Sequence, residues 1–101
     1  WGQDVKTLKL LLDGHGVERI NLAYWGTGDP AAYGIDYVPL PGLTAFPGQA
    51  PRQPELPGYV AISVNNLVAA PPEVRASYRR WIERGTLVAR LGYSIYVYKV
   101  P

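Results

Sequence analysis

Polar residues able to do chemistry gather at two points of this 101-residue sequence, each directly after an apolar run. Gly26, Thr27, Gly28 and Asp29 follow the run that ends at Trp25, and Asn65 and Asn66 follow the run that ends at Val64. If both runs are parallel strands of an open α/β sheet, these residues stand beyond the carboxyl ends, where such sheets bind ligands. Glycines there let a ligand approach the backbone, and a helical turn opening at Pro30 offers free N–H groups to an anion. The group departs from a nucleotide cradle, however. It has no third glycine and no P-loop lysine, and Asp29 puts a negative charge where a phosphate would sit. The plainer role is a strand-to-helix turn capped by Asp29, with Asn65 and Asn66 bonding to nearby backbone. A hydrolytic reading sets Asp29 and Asp36 as an acid–base pair beside Asn65. That chemistry needs surroundings that push the two carboxyl pKa values apart.

Arg75, Arg79, Arg80 and Arg84 form the one notable charge cluster. Helical spacing of four pairs Arg75 with Arg79 and Arg80 with Arg84, a basic face flanked by Glu73 and Glu83. Such a face is either solvated or turned to anionic lipid headgroups or a phosphate. His15, the only histidine, lies between two glycines and suits a helix-end cation better than a base. With one His and no Cys, the sequence holds no disulfide, no thiolate or multi-imidazole metal site and no catalytic cysteine. No cofactor or metal is expected. A net charge of +2 makes no electrostatic case for nucleic acid.

The elements that position these residues are legible from periodicity. Trp1, Val5, Leu8, Leu11 and Leu12 make one helical stripe, and Gly14 and Gly16 stop it, so a helix is expected over 3–13. Ile20, Leu22 and Tyr24 alternate with smaller or more polar residues, a strand over 19–25. Asp29 and Pro30 start a short turn of helix. The stretch 36–57 then holds six of the ten prolines, a density that frustrates helix and ladder bonding alike. It reads as a long Pro-rich loop, either a functional lid or a passive wrap laid over the sheet by Leu40, Leu43 and Phe46. The apolar run 59–64 suits a strand buried on both faces, expected over 59–65. Val74, Tyr78, Trp81 and Ile82 make a second helical stripe over 72–84, closed by Gly85. Strands over 87–91 and 94–99 flank a tight turn.

The expected fold is α/β in a single domain, 1–101. Its small mixed four-stranded sheet has parallel strands plus a C-terminal antiparallel hairpin, packed by two main helices. Val60, Ile62, Val64, Leu8, Leu12, Trp81 and Ile82 are the expected core. No apolar run approaches the about 20 residues that span a bilayer.

Specific wording adds a resemblance that spans nearly the whole chain. The start Trp1-Gly2-Gln3-Asp4, the run Asn21-Leu22-Ala23-Tyr24-Trp25-Gly26, Asp29-Pro30 and Tyr33-Gly34-Ile35 carry its first half. Gly58-Tyr59-Val60-Ala61-Ile62-Ser63, Asn66-Leu67, and the closing run from Val88-Ala89-Arg90-Leu91-Gly92 to Tyr96-Val97-Tyr98 carry its second. This pattern resembles the soluble C-terminal region of bacterial multi-span glycosyltransferases related to protein O-mannosyltransferases, which use polyprenyl-phosphate-linked sugars. In that family the catalytic acid lies near the membrane-embedded N-terminal part, so the resemblance assigns no catalytic residue here. It implies an extracytoplasmic, periplasmic module of a membrane protein, excised at Trp1 from a longer chain. Its implied partners are the membrane-embedded part of the parent, a lipid-linked sugar or glycosyl acceptor, and anionic lipid headgroups. The alternative is a small sugar- or phosphate-binding or hydrolytic α/β domain that uses the strand-end crevice. There Tyr24, Trp25 or Tyr33 would stack on a sugar ring.

Overall fold

The structure, a computed structural model, describes residues 3–25, 30–42, 50–92 and 94–101, with the side chains of Gln3 and Asp4 outside that description. Helix α1 (Gln3–Gly14) leads into strand β1 (Arg19–Ala23), a 3-10 turn (Pro30–Tyr33) and strand β2 (Asp36–Pro39). Strand β3 (Gly58–Ser63), helices α2 (Val64–Ala69) and α3 (Pro72–Arg84), and strands β4 (Thr86–Leu91) and β5 (Ile95–Val100) complete the chain. The five strands make one mixed sheet in the order β2-β1-β3-β5-β4. β1 runs parallel to both β2 and β3, while β5 runs antiparallel to β3 and β4.

The sheet therefore has one strand more than the periodicity predicts. The extra strand, β2, opens the stretch read as a loop. Its four residues pair with β1 from Arg19↔Asp36 to Leu22↔Pro39. Pro39 is tolerated because β2 is an edge strand and ends there, so its missing N–H interrupts no ladder. The remaining Pro-rich chain stays irregular among the described residues, and Leu43 and Phe46 lie outside them. A second correction concerns 64–65, expected to continue the strand. β3 stops at Ser63 and the chain turns at once into α2, which carries both asparagines.

Alternation along β1 sorts the core into two layers. Ile20, Leu22 and Tyr24 face α1, where they meet Val5, Leu8 and Leu12 together with Ala61, Ile95 and Val97. Ala23, Val38, Val60, Ile62, Tyr98 and Val100 face the other way, under Tyr78 and Trp81 of α3. Each fully buried aliphatic side chain contributes about 1.5–3 kcal/mol, so these two layers dominate the stability. Of the expected core, Val60, Ile62, Leu8, Leu12 and Trp81 are buried. Val64 and Ile82 are only half-buried, because each sits where a helix meets an open groove.

Two buried asparagines brace the sheet, one from β1 to the Pro-rich chain and one from α2 to β1. Asn21 is 3% exposed. Its Nδ2 donates to the carbonyls of Glu55 (3.0 Å) and Tyr59 (2.9 Å), and its Oδ1 accepts from the Glu55 N–H (2.7 Å). Around this clamp, Arg19 pairs with Asp36 at 3.5 Å and with Glu55 at 3.2 Å, and Arg52 reaches Glu55 at 3.2 Å. All of these charges are exposed, so they fine-tune rather than hold the segment. Farther along, fully buried Asn66 donates through Nδ2 to the Ala23 carbonyl at 3.1 Å. The Tyr78 hydroxyl donates to the Pro41 carbonyl. Gly42 is wedged between these two side chains, and a Cβ there would overlap Tyr78 Oη and Asn66 Oδ1.

Candidate ligand-binding crevice

The order of the strands creates a place for a ligand. From β1 the chain crosses to β2 through the 3-10 turn, which packs with α1. From β3 it leaves toward β4 through α2 and α3, on the opposite face of the sheet. Adjacent parallel strands whose connections depart in opposite directions leave a gap beyond their carboxyl ends. Here that gap lies between β1 and β3, where the Trp25 N–H donates to Ser63 Oγ at 2.9 Å.

The β4–β5 hairpin turns at this same end, because Ile95 pairs with both Ser63 and Leu91. The Val64 N–H donates to the Ser94 carbonyl at 2.7 Å and docks the hairpin turn against the start of α2. Gly92 holds the turn at φ +58°, a left-handed conformation that glycine adopts without strain. Between this turn and the start of α2, on the β5 side of β3, lies a crevice of about 490 Å³ lined by Val64, Arg90, Gly92 and Tyr96. That volume is within the range of small-molecule sites. Arg90 and Tyr96 are direct cross-strand partners, so they project from the same face of the sheet. Among the described residues Arg90 is exposed and forms no ion pair. A guanidinium beside a phenol ring, over a glycine turn, can bind a planar or phosphate-bearing anion and offer a surface to a sugar ring.

The residues expected at this crevice are distributed differently. Gly26, Thr27, Gly28 and Asp29 lie outside the described residues. Asn65 is exposed on the first turn of α2, while Asn66 is buried and bonded to β1, a structural brace rather than a ligand contact. Tyr24 is buried in the α1-facing core and cannot stack on a ligand; Trp25 is 50% exposed and Tyr33 37% exposed. Asp36 begins β2 beside Arg19, at the amino ends of the parallel strands. It is therefore at the far end of the sheet from Asn65, and these two members of the expected hydrolytic set do not share a site. Among the described residues no group of three or more His, Cys, Asp or Glu could hold a metal ion.

Arg90, Gly92 and Tyr96 escaped sequence reasoning, although the signal was present. A hairpin whose second strand is antiparallel to β3 must turn at the carboxyl end of β3, which brings Arg90 and Gly92 there.

The four helical arginines are all exposed, and they divide. Arg75 and Arg79 rim a groove of about 180 Å³ whose floor is Leu67, Tyr78 and Ile82. Arg80 and Arg84 are not part of that rim, and Arg80 donates to Ser77 Oγ at 3.2 Å. Burial pushes the Tyr78 phenol up to about 12, so the groove floor stays neutral at any ordinary pH. Among the described residues no helix is long and apolar enough to cross a membrane. In comparisons with known proteins, no family model, no curated protein and no solved structure matches this chain.

Proposed function

We propose that this chain is a non-catalytic recognition module on the extracytoplasmic face of a bacterial membrane glycosyltransferase that uses a lipid-linked sugar. The sequence resemblance supplies the setting, including the membrane-embedded part of the parent as a partner. The observation that carries the recognition role is the crevice between the β4–β5 hairpin turn and the start of α2, with Arg90 and Tyr96 side by side over Gly92. A guanidinium and a phenol supply hydrogen-bond donors that bind and orient a phosphate or hydroxyl group. The described lining thus favours holding a sugar phosphate or glycosyl acceptor over hydrolysing one, and the displacement of Asp36 to the opposite end of the sheet weighs the same way.

The test is a titration of the isotopically labelled chain with a hexose 1-phosphate, followed by amide chemical shifts. The expected result is saturable movement of Arg90, Gly92 and Tyr96. Loss of the guanidinium in Arg90→Ala should weaken binding by about tenfold or more, the size of a charge-assisted hydrogen bond. Unmoved resonances at these three residues, or equal affinity in Arg90→Ala, would refute the reading.

A further inference from the structure

The groove between α2 and α3 is separate from the crevice and combines three features. Its floor is apolar, formed by Leu67, Tyr78 and Ile82, and it holds only about 180 Å³. Its rim carries Arg75 and Arg79, one helical turn apart, and neither forms an ion pair among the described residues. Beside it, Val68 follows Leu67 on α2 and leaves 69% of its surface open. Apolar tip, shallow apolar slot and paired cations together match a surface that is negative outside and hydrocarbon beneath.

We infer that the α2–α3 corner docks this chain onto an anionic phospholipid bilayer, with Arg75 and Arg79 on lipid phosphates and Val68 set against the acyl boundary. The volume argues for lipid. The slot is smaller than pockets that enclose a drug-sized ligand, but it accommodates a few methylene groups of a surface lipid. Charge complementarity argues for an anionic surface, since basic side chains close to a bilayer are drawn to anionic lipid. Arg80 and Arg84 take no part, because they stand off the groove rim. The four-arginine face read from the sequence is thus reduced to one pair with an apolar neighbour.

That division makes the test sharp. Arg75→Gln with Arg79→Gln, and Arg80→Gln with Arg84→Gln, each bring the formal net charge from +2 to 0. Binding of the chain to vesicles of phosphatidylcholine, with and without phosphatidylglycerol, is measured by co-sedimentation at low and high salt. The expected result is binding only with phosphatidylglycerol, weakened by salt, and lost by about tenfold or more in the first pair. The second pair should change by less than about twofold, the difference expected of a docked site over net charge. Val68→Asn should weaken the binding that survives at high salt. All five substituted side chains are exposed, and thermal melts should coincide with the parent chain.

Equal losses in the two arginine pairs would overturn the inference in favour of unspecific charge. So would absence of binding to phosphatidylglycerol vesicles, or salt-insensitive binding. Inorganic phosphate that perturbs Arg75 and Arg79 in a chain that ignores vesicles would also overturn it, in favour of a soluble anion. The hexose 1-phosphate titration reads Arg90, which none of these substitutions touches, so either proposal can fail alone.

Discussion

Replacing Asn21 by Ala removes three hydrogen bonds at once, of 2.7, 2.9 and 3.0 Å, from a side chain that is 3% exposed. Each such bond contributes about 0.5–1.5 kcal/mol net, and the Glu55 N–H and the two carbonyls would be left in a partly buried place. The expected loss is about 2–4 kcal/mol, against a total stability of about 5–15 kcal/mol for a chain of this length. Urea unfolding followed by far-ultraviolet circular dichroism measures it as a drop in midpoint at unchanged slope. Amide exchange locates it. The Glu55 N–H is held by Asn21 Oδ1, so it should exchange fast in Asn21→Ala, whereas the Arg52 N–H on the Pro39 carbonyl should stay protected.

The isosteric Asn21→Asp adds a sign. Its oxygen still accepts from Glu55 N–H, but a second oxygen now faces two carbonyls that received N–H bonds. The introduced carboxyl is therefore held neutral in the folded state, with its pKa raised. Stability in this variant should be best below the ordinary Asp pKa of about 3.9 and should fall as pH rises through the raised folded value. A loss of less than about 0.5 kcal/mol in Asn21→Ala, with Glu55 still protected, would refute the clamp.

Gly42→Ala drives a Cβ into Tyr78 Oη and Asn66 Oδ1 and should cost about 1–3 kcal/mol by overpacking, whereas Gly14→Ala, with nothing within 4 Å, should be neutral or slightly stabilising. Thermal melts of the two variants side by side check this. Tyr78 gives a pH dependence at the alkaline end. Its folded pKa of about 12 lies above the ordinary value of 10.0, so its contribution is intact below about pH 10 and is lost as pH rises toward 12. The span corresponds to about 2–3 kcal/mol, and Tyr98, also raised by burial with Tyr96 adding to the shift, acts in the same direction. Urea midpoints across this alkaline range should fall less steeply in Tyr78→Phe than in the parent chain.

Local periodicity and punctuation determined most of the elements. The Val5–Leu8–Leu12 stripe with its glycine stop made α1, and the Val74–Tyr78–Trp81 stripe between Pro72 and Gly85 made α3. β1, β3 and the closing hairpin followed from alternating or continuous apolar runs with glycine at the turn. These signals act within a few residues and survive without knowledge of the fold. β2 had no such signal. Asp36–Pro39 is a strand only because the edge of β1 offers it a ladder, and no local rule favours four residues ending in proline. Asn66 likewise read as a turn residue. The packing of α2 beneath Gly42 and against Ala23 made it a buried brace, which required knowing where the chain returns. The crevice and the split of the arginines are of the same kind. Arg90 meets Val64 and Tyr96 through strand order, and Leu67 of α2 singles out Arg75 and Arg79 as the groove rim. Sequence spacing places residues on a helix or strand face; which faces meet depends on contacts distant in the chain, and those are decided only when the two core layers close on the sheet.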